Sequence, residues 1–212
     1  MEILYSDRDM AVCVKPLGAS SEDGPGSMPS LLREALGGEV FPVHRLDLNV
    51  GGVMVYARNR TAAAFLSQAV AQRQLQKEYL ALCHGTPEEK GIWEDLLWKD
   101  SRKNKVYVVT RQRQGVKQAS LEYEILGRDR DCSLARILLH TGRSHQIRVQ
   151  FASRGFPLLG DGKYGARDKV PAPALWSYRL TIPRKIGPAL VFSALPKGGV
   201  WDRIPLPEHE NA

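Results

Sequence analysis

Nine short apolar runs, most of them bounded by Gly, Pro, Asp or Ser, constrain this chain more than any other feature. They are EILY (2–5), MAVCV (10–14), VMVYA (53–57), EYLALC (78–83), KVYVV (105–109), SLEYEIL (120–126), CSLARILL (132–139), LWSYRLTI (175–182) and ALVF (189–192). Runs of this length and composition between turn formers read as β-strands. Two stretches read as helices. PSLLREAL (29–36) has serines ahead of it and Gly37-Gly38 behind it, a start and a stop. TAAAFLSQAVAQRQ (61–74) is built of strong helix formers, with Asn59 placed to cap it. Gly-, Pro- and Ser-containing loops cover 15–27 and 155–174, but apolar runs resume on both sides, so neither reads as an inter-domain linker. The pattern predicts one α/β (α+β) domain over 1–212: a large mixed, mostly antiparallel sheet flanked by helices and loops.

Composition narrows the class. The hydrophobic fraction is 43% and the charged fraction 25%, enough for a core in a soluble chain of 212 residues. No run of 18 apolar residues occurs, and MEILYSDRDM has acids where a secretory leader needs a basic start and an apolar centre. The expectation is a cytoplasmic protein with no membrane partner. Cys13, Cys83 and Cys132 are odd in number and far apart, which fits reduced, buried thiols. Among His44, His84, His140, His145 and His209, only His140 and His145 are close, and no metal-ligand pattern accompanies them. No metal is expected. The net charge of +7 permits a polyanionic partner without requiring one. Residues 101–117, SRKNKVYVVTRQRQGVK, read equally well as a solvated hairpin surface or as a phosphate-contacting edge.

Candidate chemistry begins at VHRLDLNVGG, residues 43–52. An aspartate beside a glycine-rich turn ordinarily bonds nearby backbone amides. Here the following run is apolar enough to enter a core, and a carboxylate at such an edge is costly unless a cation accompanies it. Arg45 is two positions away; Arg143 and Arg148 lie in HTGRSHQIR (140–148), a stretch dense in donors. In SHQIRVQFASR (144–154) apolar and polar residues alternate, which argues for a strand, although the preceding Thr-Gly-Arg-Ser equally suits a helix start. GDGKYG (160–165) lacks the spacing of a phosphate loop.

Together these segments resemble the RluA-type RNA pseudouridine synthases. HRLD (44–47) before a glycine and an apolar strand is similar to the family's signature. KPLG (15–18) resembles its early Lys-Pro-x-Gly, and KEYLALCHG (77–85) its Lys-x-Tyr segment. TGRSHQIRVQFASRGFPLLGDGKYG (141–165) resembles its long third motif and FSALP (192–196) its C-terminal end. The order is kept, with Tyr79 lying 32 and Arg148 lying 101 residues after Asp47. One departure stands out. The family usually carries Thr-Ser-Gly where this chain has Val50-Gly51-Gly52, so two hydroxyls are lost beside the site. The resemblance also implies a helix after Arg143, and an S4 RNA-binding domain is not expected ahead of KPLG.

The resemblance implies an isomerase that breaks the N1–C1′ bond of a uridine in RNA, turns the uracil and rejoins it through C5. No cofactor is needed. Asp47 would attack C1′, add to the uracil ring or remove a sugar proton, and the sequence leaves all three open. Arg148 would keep Asp47 ionised, and Tyr79 would lie against the uracil. Arg45 would fill the space that the flipped uridine leaves. His44, Lys77, Arg143, His145 and Gln146 complete the expected RNA contacts. The two glycines are expected to leave room for a nucleotide. The implied partner is a stem-loop of rRNA or tRNA, bound by a monomer. An inactive RNA-binding protein on the same fold is the alternative. A nucleoside glycosidase would ordinarily need a second carboxylate, and only Asp47 is a strong candidate.

Overall fold

All nine apolar runs form strands, in a computed structural model that describes residues 1–208; His209 lies outside the described residues. In chain order the strands are β1 (Glu2–Ser6), β2 (Met10–Lys15), β3 (Phe41–Pro42), β4 (Gly51–Ala57), β5 (Gln76–His84), β6 (Lys90–Asp100), β7 (Lys105–Val109), β8 (Val116–Asp129), β9 (Cys132–Leu139), β10 (Leu175–Ile182) and β11 (Leu190–Ser193). The α-helices are α1 (Met28–Leu36), α2 (Arg60–Ala71) and α3 (Gln146–Ser153). The α/β (α+β) class expected from the sequence is the class observed. Contacts divide the chain into two compact units, Met1–Lys77 with Trp176–Pro196, and Glu78–Leu175 with Lys197–Glu208.

In the first unit β2 pairs antiparallel with both β1 and β4. β4 also pairs antiparallel with the short β3 and parallel with β10 at its own first residues, Gly51 and Gly52. β11 extends β10 antiparallel. Every residue of β4 is buried, which requires cover on both faces. Val53, Val55 and Ala57 point one way, into a core with Val12, Ala62, Leu66, Leu180 and Ile182. The covering helix α2 starts where its cap is made: the Asn59 side chain accepts from the Ala62 amide at 2.8 Å. Helix α1 starts at Ser27, whose hydroxyl accepts from the Ser30 amide at 3.3 Å, and stops at Gly37, whose φ of 68° suits glycine.

The second unit is an antiparallel succession, β5–β9–β8–β6–β7. Strand β6 was not anticipated, because Lys90, Glu94, Asp95, Lys99 and Asp100 disguise a run whose accessibility alternates along most of its length. The basic stretch 101–117 is a hairpin, with a turn, β7 and the start of β8. Residues 146–153 form helix α3, as the resemblance implies, and not the strand that the alternation suggests. The alternation misleads because the polar positions face inward as well. Gln146, Arg148 and Gln150 are buried alongside Ile147, Val149 and Phe151. The Gln150 amide donates to Asp95 at 2.7 Å. Phe151 meets Trp93 and Tyr123 with ring centroids 4.7 and 5.8 Å apart. A helix buried all round needs a partner for each polar side chain, and that need hides its period.

Candidate active site

In the first unit, Asp47 sits in a turn whose backbone is fastened on both sides. Before it, the Ser21 hydroxyl donates to the Leu46 carbonyl at 3.0 Å and accepts from the Leu46 amide at 3.3 Å. Ser21 is fixed in turn by the Tyr56 hydroxyl, which donates to its carbonyl at 3.2 Å. After Asp47, the Leu48 carbonyl accepts from the Lys15 ammonium at 3.0 Å and from the Gly18 amide at 2.9 Å. The Val50 amide closes the turn on the Asp47 carbonyl at 3.0 Å. The carboxylate-bearing residue is therefore only partly buried, yet its neighbours have little freedom.

Lys15 is fully buried, and its other two protons go to the carbonyls of Pro16 and Ala19 at 3.0 and 2.8 Å. Burial pushes its ammonium down to about 8, and the negative charge of Asp47 opposes that shift. The KPLG segment thus supplies the clamp behind the acid. His44 is a fastener too: its Nε2 accepts from the Val55 amide at 3.2 Å. Burial pushes the ring down to about 3, and the Lys77 cation adds to the effect. The ring is neutral, and the accepting Nε2 assigns its proton to Nδ1, which is buried without a partner among the described residues. Burial lowers the Lys77 ammonium as well. Arg45 is exposed, with its guanidinium 3.1 Å from the equally exposed Glu22.

The two glycines after the turn do not leave room for a nucleotide. A side chain at Gly51 would meet the ring of Trp176 at 2.4 Å, and one at Gly52 would meet the Ser177 carbonyl at 2.2 Å. Strand β10 fills the space: the Trp176 indole excludes a side chain at 51, and the close approach of the Ser177 backbone excludes one at 52.

In the second unit, Arg148 on α3 is buried and grips Asp161 with two parallel bonds, Nε to Oδ2 at 2.7 Å and a terminal nitrogen to Oδ1 at 2.8 Å. Asp161 is itself buried. The guanidinium also lies over the Tyr164 ring, 5.2 Å from its centroid. The Tyr164 hydroxyl accepts from the Val106 amide at 2.9 Å and is hydrogen-bonded to His145 Nδ1 at 2.9 Å. GDGKYG is therefore no phosphate loop; it supplies the carboxylate and the ring that orient Arg148. His145 has φ 50° and immediately precedes α3. Tyr79 is buried in β5, opposite Ile137 of β9.

Gln146 is taken up by the fold. Its carbonyl accepts from the Thr141 hydroxyl and the Arg143 amide at 2.7 and 3.1 Å, and its amide donates to Ser120 at 3.1 Å. Arg143 is exposed, tethered by Nε to the Gln118 carbonyl at 2.9 Å. Sequence reasoning passed over Ser21, Asp161 and Tyr164. Only the presence of the last two within the long third motif could have flagged them.

A model of the RNA pseudouridylate synthase family matches residues 9–153. An uncharacterized RNA pseudouridine synthase of Aquifex aeolicus is 36% identical over 191 residues, 82% of this chain and 60% of that protein. Ribosomal large subunit pseudouridine synthase D of Vibrio cholerae is 32% identical over 183 residues, 82% of this chain and 56% of its own length. The chain thus spans less than two thirds of the curated relatives it matches. The structure of human RNA pseudouridylate synthase domain containing 4 superposes with a TM-score of 0.78 at 24% identity, covering 92% of this chain and 89% of that one, a likeness of fold.

Proposed function

The chain belongs to the RluA-type RNA pseudouridylate synthase family, and from that premise we propose that it isomerises uridines of a structured RNA to pseudouridine, with Asp47 as the reacting carboxylate. The observation that carries this reading is the bracketing of Asp47. Leu48 is fastened by Lys15 at the end of β2 and Leu46 by Ser21 in the loop that follows, while the acid between them is left partly open. Holding a reacting group in one geometry removes a large part of a barrier. An aspartate with a merely structural role would not call for side-chain clamps on both neighbours.

Asp47 acts on the ribose or the base of the uridine: the N1–C1′ bond breaks, the uracil turns, C5 bonds to C1′, and the proton then lost from C5 is balanced by one taken up at N1. Tyr79 is assigned to the face of the uracil, and Arg148, aligned by Asp161 and Tyr164, is the cation that favours an ionised acid. Arg45 enters the RNA stack. Arg143, His145 and Lys77 are left for RNA contacts. His44 and Gln146 act by holding backbone. The names of the ribosomal relatives make large-subunit rRNA the first substrate to try, with tRNA stem-loops second. The chain works as a monomer in the cytoplasm. Among the described residues no helix is long and apolar enough to cross a membrane.

The test is release of tritium from RNA labelled at uracil C5, with RNA from cells lacking the gene as substrate. The wild type should release label and Asp47→Asn should lose at least a thousandfold in rate while keeping its melting temperature. Activity of Asp47→Asn within tenfold of wild type would sink the assignment.

A further inference from the structure

The departure at Val50-Gly51-Gly52 has a counterpart across the sheet. Gly51 pairs with Trp176 in the parallel register of β4 and β10. A side chain at 51 would lie 2.4 Å from Cζ3 of the indole and 3.0 Å from the Lys15 carbonyl. Glycine at 51 and tryptophan at 176 are therefore one feature: the ring occupies the volume that any other residue would claim. The indole is fixed as well as admitted. Its Nε1–H donates to the Ala194 carbonyl at 2.7 Å, which sets the ring plane. It remains partly exposed, although its strand neighbours Leu175, Ser177 and Tyr178 are buried. The Asp47 turn closes through Val50, one residue before Gly51. Beside that turn, Leu48 is 55% and Leu17 54% exposed, on two loops joined by the Gly18–Leu48 hydrogen bond. Two apolar side chains are thus exposed beside the turn that carries the acid, along with Arg45 and Asn49.

We propose that Trp176 is a stacking platform for a base of the RNA strand next to the reacting uridine, and that Gly51 is present to admit it. The proposal rests on the reading of Asp47 given above. An aromatic side chain held rigid beside a site that extrudes a nucleotide gives the disturbed neighbouring base a new stacking partner. It discriminates little between bases, since each has a π-face. Trp176 binds substrate without touching the reacting atoms, and its contribution appears in KM.

The experiment uses a stem-loop RNA centred on a uridine that the full-length protein converts. Trp176→Phe and Trp176→Leu are compared with wild type on this RNA and on versions with each flanking nucleotide made abasic. At one flanking position the abasic change should raise the wild-type KM at least fivefold, the low end of what base–aromatic stacking contributes. It should leave the KM of Trp176→Leu, already raised, unchanged. Phenylalanine should stay close to wild type, with kcat and melting temperature retained. Additive losses at every position would reduce Trp176 to packing and overturn the proposal. A measurement on the unaltered protein guards against misfolding of the leucine variant. With 5-iodouridine at each flanking position, irradiation should cross-link one position to Trp176, and cross-links that miss Trp176 at every position overturn the proposal. Failure of the wild type to convert any uridine overturns the enzymatic reading itself, and this proposal with it.

Discussion

The buried ammonium of Lys15 donates to the carbonyl of Leu48 at 3.0 Å, so a cation at the end of β2 sets the backbone immediately after Asp47. Thirty-three residues separate the two, and no local turn geometry could substitute for that bond.

Lys15→Met should therefore damage activity through kcat, by tenfold or more, with KM little changed, because small misplacements of a reacting group are costly. It should also remove a pH dependence. The ammonium falls from its ordinary 10.5 to about 8 in the folded chain. Between those values the unfolded chain holds more protons, so stability rises with pH across the window. Denaturant midpoints at pH 8 and 9.5 should show wild type gaining about 1.5 kcal/mol relative to the methionine variant. A constant difference would contradict a buried ammonium.

Arg148 and Asp161 should behave as a unit. Asp161→Asn takes the paired charge from a buried guanidinium and should cost about 3–5 kcal/mol by urea denaturation. Arg148→Lys should fail to restore wild-type kcat, because an ammonium cannot make two parallel bonds to one carboxylate. Replacing both, with Arg148→Met and Asp161→Leu together, should be less destabilising than either single removal. If the double loss equals the sum of the singles, the two residues are not coupled.

His44 carries a prediction for mildly acid solution. Its folded value near 3 lies below its ordinary 6.5, so the unfolded chain binds the extra proton as pH falls below 6.5, and stability drops. Between pH 7 and 5 the contribution lost is about 2 kcal/mol. His44→Gln, which can still accept from the Val55 amide, should be markedly less acid-sensitive. Parallel acid profiles for the two proteins would mean that His44 is charged in the folded state.

The sheet and α2 were legible because their signals are local: Val-rich runs between turn formers, and a cap followed by strong helix formers. Helix α3 was legible only through the family resemblance, since its three buried polar residues imitate the alternation of a strand. The site was legible at Asp47 and in its motifs, but not in what holds Asp47. Ser21 lies in SSEDG, which reads as a solvated loop, and it reaches Leu46 25 residues away. Asp161 lies between glycines, beside a lysine, a setting that reads as an exposed turn. Long-range partners leave no trace at their own positions in a single sequence. The glycines misled for the same reason: what they make room for, Trp176 and Ser177, is more than 120 residues distant.

Arg45 presents the sharpest choice between a structural and an RNA-binding role. Among the described residues its ion pair is with Glu22, and both side chains are 59% exposed. Exposed pairs of this kind contribute between nothing and about 1 kcal/mol, so Arg45→Ala should leave the melting temperature almost unchanged. A guanidinium held so loosely is free to leave Glu22 and enter an RNA stack. If it fills the gap left by a flipped uridine, it offsets an unstacking cost that is large in a paired stem and small in a single strand. Arg45→Ala should then lower kcat/KM on a stem-loop at least tenfold more than on an unstructured oligonucleotide of the same sequence. Lysine should rescue poorly, lacking a planar group to stack on bases. Glu22→Gln should leave kcat/KM on both RNAs close to wild type, since Glu22 only holds the resting side chain. All measurements belong at one fixed salt concentration, because phosphate contacts make affinity salt-dependent. Equal losses on the two RNAs, with full rescue by lysine, would show that Arg45 contributes a positive charge and nothing more.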